Sequence, residues 1–325
     1  MLISRVIAPR TSRIDEVATP EPRAGQILID VLASGVCTSD LGPWLRGPQG
    51  GDPIELGHET AGRVVAVGSS GSRWAIGDLV TGLGGSGFAT QTLLDADSVL
   101  PIPTGLSPTH AIGEPIATLE EAISRTPIAP GARVAVVGLG FMGLGLVQLA
   151  KSRAPHTIIG VDPNPAARER ALTLGVDAAL HPDEVAALVA GGAGGGAGGE
   201  AGRAVGAPDP RADVVLEATG VTPGLDTASP LVKPFGTLCI VGYHHAGTAK
   251  LDMELWYKGA TVVNGFCPDR PRVMRAMDAA LALVAARRFS YAPLVTHTMG
   301  LDRVDEAYEL MDARDAAFVK AVIVP

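Results

Sequence analysis

The sequence is poor in cysteine, with three in 325 residues. Cys37, Cys239 and Cys267 are too few for a disulfide framework, and none belongs to the C-x-x-C pair of a structural zinc site. Scattered cysteines in so long a chain suit a reducing compartment. Long hydrophobic runs are missing too. No window reaches about 18 uninterrupted apolar residues, the length a membrane-spanning helix needs. Positive charge is also scarce: 26 Lys and Arg stand against 34 Asp and Glu, a net charge of −8. The basic footprint of a nucleic-acid binder is therefore absent. The opening stretch MLISRVIAPRTSRIDEV has neither an apolar h-region nor an A-x-A cleavage site. The expectation is a cytoplasmic protein with a small-molecule substrate and no nucleic-acid or membrane partner.

What is present is a globular composition, 46% hydrophobic and 18% charged, in a chain long enough for two cores. The first hundred or so residues read as short β-strands and turns, as in ILIDVLASGVC (27–37) and AGRVVAVGSSGSRWAIGDLVTGL (61–83). A helical pattern begins near Thr118 in TLEEAISRT, and Pro127 and Pro130 close it. The texture then changes. ARVAVVGLGFMGLGLVQLAKSR, HTIIGVDPN, ADVVLEATG and GTLCIVGY alternate apolar strands with helices, the pattern of a parallel sheet covered on both faces. The fold class expected is α/β. Residues 191–212, GGAGGGAGGEAGRAVGAPDPRA, are too rich in glycine and alanine to offset chain entropy, and are expected to be a disordered surface loop.

GLGFMG places Gly138, Gly140 and Gly143 in G-x-G-x-x-G spacing. The spacing alone is weak in a chain with 41 glycines. Here a buried strand precedes it, a helix follows, and the next strand ends in Asp162, as in a dinucleotide site. Gly138 makes the tight turn, Gly140 admits the pyrophosphate, and Gly143 lets the helix pack on the strand. The helix N-terminus, at Phe141 and Met142, offers amides to the phosphates. Asp162 can accept bonds from both ribose hydroxyls and would repel a 2′-phosphate, which favours NAD; the following PNP supplies no basic residue to rescue NADP.

A nicotinamide enzyme needs a group to polarise an alcohol or carbonyl, and zinc does so as a Lewis acid. A catalytic zinc takes three protein ligands and leaves one position open. SGVCTSD and LGHETAG supply Cys37 and His58 as ligands. Asp40 is spaced to hold the imidazole, and Ser39 could pass a proton onward. Alone, Cys37 reads as an inert buried thiol and His58 as a core histidine; beside the dinucleotide fingerprint both acquire a purpose.

SGVCTSD, GHETAGRVVAVGSSGSRWAIGDLV, GEPIATLEEAI, GLGFMGLGLVQLAK, VDPNPAARERALTLGVDAA and DVVLEATG occur in the order seen in the zinc-dependent medium-chain dehydrogenase/reductase family. The chain resembles that family over essentially its whole length. The resemblance implies a GroES-like β-barrel catalytic domain at 1–122 and 261–325, an inserted Rossmann NAD-binding domain at 123–260, and an active site in the cleft between them. It implies that Cys37 and His58 are zinc ligands and Ser39 the relay hydroxyl. It sets Val241, Gly242, Tyr243 and Gly265 beside the nicotinamide, Thr219 among the cofactor-binding residues, and Lys320 near the pyrophosphate. In relatives the strand corresponding to ATVVNGF (260–266) pairs across a two-fold axis, which implies a homodimer or homotetramer.

The sequence departs from the family pattern in three places. The four-cysteine lobe that holds a structural zinc is missing from 77–103, so a single catalytic Zn2+ is expected. Gly42 stands where a histidine often ends the proton relay, leaving His110, His244 and His245 as candidates. The third ligand is not cysteine: either Glu114, in GEPIA, or Glu59 completes the shell, as in the polyol and sugar branch, though Glu114 could also simply stabilise a helix N-terminus. The expected activity is transfer of a hydride between NAD and a secondary alcohol or ketone of a polyol, cyclitol or sugar. The alternatives are a simple alcohol or amino-alcohol dehydrogenase and a non-catalytic nucleotide-binding protein of the same fold. Trp44, Phe88 and Trp256 are candidate pocket residues by position.

Overall fold

The structure is a computed structural model that describes residues 1–69, 72–192, 211–244 and 247–325. It divides into two units, Met1–Thr118 with Asp269–Pro325, and Leu119–Pro268.

The first unit opens with strands β1 (Leu2–Ala8), β2 (Thr11–Glu16) and β3 (Gln26–Gly35), then helix α1 (Thr38–Arg46) and strands β4 (Ile54–Glu55), β5 (Glu59–Val67), β6 (Leu79–Leu83), β7 (Gln91–Asp95) and β8 (Val99–Pro101). Helix α2 (Gly113–Ser124) leads into the second unit, which holds β9 (Arg133–Val137), α3 (Phe141–Lys151), β10 (Thr157–Val161), α4 (Pro165–Thr173), β11 (Ala178–Leu180), α5 (Pro182–Gly192), β12 (Ala212–Glu217), α6 (Thr222–Leu231), β13 (Val232–Ile240), α7 (Glu254–Tyr257) and β14 (Thr261–Asn264). The chain then returns to the first unit through α8 (Arg270–Ala285), β15 (His297–Met299), α9 (Val304–Asp312) and β16 (Ala321–Ile323). Of the glycine-rich segment expected to be a loop, 193–210 lie outside the described residues; its ends belong to α5 and β12.

In the first unit the larger sheet runs β15-β16-β3-β5-β6-β8, with β7 pairing the first half of β3, and a small sheet runs β2-β1-β4. Ile27, Ile29 and Val31 share one face of β3, as the alternation of side chains along a strand places them, and pack with Val64, Val80, Leu94 and Val99. A second core gathers Trp44, Phe88 and Tyr308. Trp44 stacks on Tyr308 with centroids 5.3 Å apart and donates its indole N–H to Asp305 at 2.7 Å. This corrects the pocket assignment: Trp44 and Phe88 are sealed core residues, while Trp256 is exposed on α7. Burying a Phe-sized side chain stabilises by about 1.5–3 kcal/mol, which accounts for aromatics at these positions without any ligand.

Helix α2 starts at Gly113, five residues before the sequence pattern suggests. Its first free amide, Gly113 N–H, donates to the Thr81 hydroxyl at 2.7 Å. Thr81 in turn donates to Thr60 C=O at 2.8 Å. The cap comes from a distant strand, so no local signal marks it. Pro115 is tolerated because the first turn needs no internal amide.

The second unit is a six-stranded parallel sheet in the order β11-β10-β9-β12-β13-β14. From β9 the chain builds outward through β10 and β11, then returns to the other side of β9 for β12, β13 and β14. The order reverses between β9 and β12, and the crevice at the carboxyl ends of the strands there is where α/β sheets bind ligands.

Candidate active site

In the antiparallel pairing of β3 and β5, Gly35 faces Glu59. Cys37 follows β3 by two residues as the N-cap of α1, and His58 immediately precedes β5. The sheet register thus sets the two motifs side by side. Ligand atoms of Cys37, His58 and Glu59 all lie within 4.8 Å of one another.

Each member is held. Asp40, in the first turn of α1 and buried, places Oδ2 3.3 Å from His58 Nδ1. The same oxygen accepts the Gly57 N–H at 3.1 Å. Burial opposes a charge on His58, but the hydrogen bonds to Asp40 and Cys37 and their charges outweigh it and push the imidazole up to about 11. Ser39 is exposed and donates its hydroxyl to the Cys37 sulfur at 3.2 Å.

Glu59 is 1% exposed. Its Oε1 accepts from Lys320 Nζ at 2.7 Å, and its Oε2 lies 2.6 Å from the same ammonium with no hydrogen bond of its own. A Cβ on Gly35 would stand 1.8 Å from that Oε2, so only glycine leaves room for the carboxylate. Lys320 was expected beside the pyrophosphate; its ammonium is instead buried against Glu59, because a buried carboxylate needs a counter-charge. Glu114, in the first turn of α2, is not one of the three residues whose donor atoms lie within 4.8 Å of one another. Burial and the Glu59 carboxylate push it up to about 7, with Asp40 adding and His58 and Lys320 opposing.

A thiol, an imidazole and a carboxylate are zinc donors, three protein ligands are what an open catalytic site takes, and their donor atoms converge within 4.8 Å. Among the described residues this group fits the metal.

The second unit carries the dinucleotide features. Gly138 has φ +92°, and a Cβ there would meet Thr219 Cγ2 at 2.7 Å; one on Gly143 would stand 1.7 Å from Gly138 C=O; one on Gly140 would meet nothing within 4 Å. Two glycines are needed for packing and the third leaves its backbone open to a ligand. Phe141 and Met142 begin α3. Asp162 Oδ2 accepts Leu139 N–H at 2.7 Å and Oδ1 accepts Asn164 N–H at 2.8 Å. The carboxylate is thus fixed beside the turn, each oxygen keeping a lone pair for a ribose hydroxyl. Past β12 and β13, a Cβ on Gly242 would approach Gly220 N to 2.2 Å, and one on Gly265 would approach Ile240 C=O to 2.6 Å, so Thr219, Val241, Gly242, Tyr243 and Gly265 lie on closely apposed segments. His110 follows β8 in the first unit, His244 follows β13, and His245 is outside the described residues. The sequence reading missed Lys320 as the partner of Glu59, Gly35 as the residue that makes room, and Glu217 as the partner of His244. An acid ending an otherwise apolar strand, VVLE, was the only available signal for the last.

Residues 23–104 match the alcohol dehydrogenase GroES-like domain, and residues 141–283 match the zinc-binding dehydrogenase domain. The chain belongs to the zinc-dependent medium-chain dehydrogenase/reductase family. It is an oxidoreductase of the alcohol and polyol dehydrogenase type, in a family whose cofactors are zinc and a nicotinamide dinucleotide. A sorbitol dehydrogenase of Halalkalibacterium halodurans is 26% identical, covering 96% of this chain and 95% of that protein. An L-threonine 3-dehydrogenase of Pyrococcus abyssi is also 26% identical, covering 92% of this chain and 91% of that protein. Among solved structures, an alcohol dehydrogenase from Thermus superposes with a TM-score of 0.84 at 25% identity over the whole of both chains. No helix among the described residues is long and apolar enough to cross a membrane.

Proposed function

We propose that this family member transfers a hydride between NAD and a secondary alcohol or ketone of a polyol, cyclitol or sugar, with one zinc held by Cys37, His58 and Glu59. The observation that carries the reading is the convergence of those three donors within 4.8 Å, with Glu59 compensated by Lys320. Two anionic ligands would balance a divalent cation.

Zinc there would supply Lewis acidity toward the substrate oxygen, and NAD would supply the hydride acceptor. The chain's own residues do the rest. Asp40 fixes the His58 ring and leaves its Nε2 for the metal. Ser39, exposed at the thiol, is placed to take the alcohol proton. Asp162 offers lone pairs to the adenosine ribose and opposes a 2′-phosphate. A carboxylate-containing metal site suits an oxygen-rich substrate, and the sorbitol dehydrogenase relative supports the same choice. The threonine dehydrogenase relative favours a second reading, an amino alcohol. The protein would act in the cytoplasm as a homo-oligomer, a proposal supported by the edge position of β14 and testable by sedimentation.

The deciding experiment offers polyols, cyclitols, threonine and simple alcohols with NAD and follows reduced nicotinamide by absorbance. A polyol or cyclitol is expected to exceed ethanol by orders of magnitude in kcat/KM, since a polar site penalises analogues that leave its groups unpaired. Ethanol or threonine as the best substrate would overturn the polyol assignment.

A further inference from the structure

Glu217 ends β12 and is completely buried, and the metal chemistry makes no use of it. Its Oε1 accepts three donors: Thr219 N–H at 2.6 Å, Gly220 N–H at 3.1 Å and the Thr219 hydroxyl. Its Oε2 lies 2.9 Å from His244 Nε2. Its backbone carbonyl accepts both Val241 N–H at 2.8 Å and Gly242 N–H at 3.0 Å. One residue therefore ties the segment after β12 to the segment after β13, and fixes the ring of a histidine on the second of them. With a carboxylate on Nε2, the neutral ring carries its proton on Nε2 and keeps a lone pair on Nδ1. Among the described residues Nδ1 has no partner.

The sheet order shows what that lone pair can meet. Asp162 immediately follows β10, on one side of the reversal, and in the proposed function is the ribose acceptor of the adenosine half. The pyrophosphate half-way point is the glycine turn after β9. A dinucleotide laid across a switch point puts its other half over the strands on the opposite side, which here are β12 and β13. His244 follows β13 by four residues. Its side chain is 16% exposed, enough to present one edge of the ring and no more.

We propose that His244, oriented by Glu217, binds the nicotinamide riboside half of the dinucleotide through Nδ1, accepting a hydrogen bond from its carboxamide N–H or a ribose hydroxyl. The inference rests on dinucleotide binding at the glycine turn. Burial of a carboxylate is costly unless it is well bonded. The three donors on Oε1 already meet that need, so the histidine on Oε2 is explained by positioning the ring rather than by rescuing the acid.

The test is calorimetric binding of NAD, ADP-ribose and ADP to the full-length protein and to His244→Ala and His244→Asn. His244→Ala is expected to weaken NAD by about tenfold, the worth of one hydrogen bond, and to leave ADP unchanged, because ADP ends before the strands that carry His244. His244→Asn, whose amide oxygen stands close to where Nδ1 was, should recover part of the loss. A parallel loss for ADP-ribose assigns the bond to the ribose, and a loss confined to NAD assigns it to the carboxamide. Unchanged NAD affinity in His244→Ala, or an equal loss for ADP, would overturn the inference. Failure of the native protein to bind ADP and NAD at all would remove the underlying cofactor reading instead.

Discussion

Asp40 Oδ2 stands 3.3 Å from His58 Nδ1 and at the same time accepts the Gly57 N–H. One carboxylate oxygen thus holds both the imidazole and the turn that delivers it. Asp40→Asn keeps the shape but takes away the charge that orients the ring. It should lower zinc affinity by about 10–100-fold, read by competition with a chromogenic chelator, and leave ADP affinity unchanged. Unaltered zinc affinity would mean that the turn, not Asp40, positions His58.

The metal itself gives the next expectation. Elemental analysis should find at most one zinc per chain, and Cys37→Ser should remove the zinc and the turnover while NAD binding persists. Two zincs per chain would show that a second site exists despite the missing cysteine lobe.

Gly35→Ala tests the space behind Glu59. A Cβ 1.8 Å from Oε2 leaves the carboxylate no room, and the neighbouring backbone belongs to a paired strand that cannot retreat cheaply. Zinc occupancy should fall to a small fraction of the native value in a protein whose circular dichroism still shows the native fold. Full occupancy would mean that Glu59 is not needed where it stands.

Lys320→Met leaves Glu59 buried without its counter-charge. Breaking a buried pair from one side costs about 3–5 kcal/mol, measured by urea unfolding of the zinc-stripped protein. Adding Glu59→Gln should return most of that loss, because the stranded charge is then gone. Additive losses in the double variant would show that the two residues stabilise the fold independently.

Asp162→Ser should narrow the preference for NADH over NADPH, measured as the ratio of dissociation constants. It should also weaken NADH, since Asp162 fixes Leu139 and Asn164 in addition to its proposed bonds to the ribose. A native protein that prefers NADPH would overturn the role given to this carboxylate.

The parts of the fold legible in the sequence were those whose causes are local. Strands β9, β10 and β12 are continuous apolar runs, and the turn after β9 needs glycines at fixed offsets, so the pattern carries its own explanation. The start of α2 was not legible, because its cap is the hydroxyl of Thr81, some thirty residues away on another strand. The aromatic residues Trp44 and Phe88 have no local mark that separates a core position from a pocket wall. Lys320 and Glu59 are 261 positions apart. Nothing near either one announces the other, and only the pairing of β16 and β5 with β3 brings them together. Cys37, His58 and Asp40 could be named only through their company: the dinucleotide fingerprint further along the chain, and motifs that resemble the zinc-dependent family.

The burial of Lys320 constrains how this chain could diverge. A descendant that lost the metal ligands one at a time would keep a cation sealed among groups no longer able to balance it. The path of least resistance removes Lys320 and Glu59 together, and frees position 35 to carry a side chain in the same step. Lineages of this fold that have abandoned metal should therefore show the three positions changing as a set, a signature that can be sought in sequences before any of those proteins is purified.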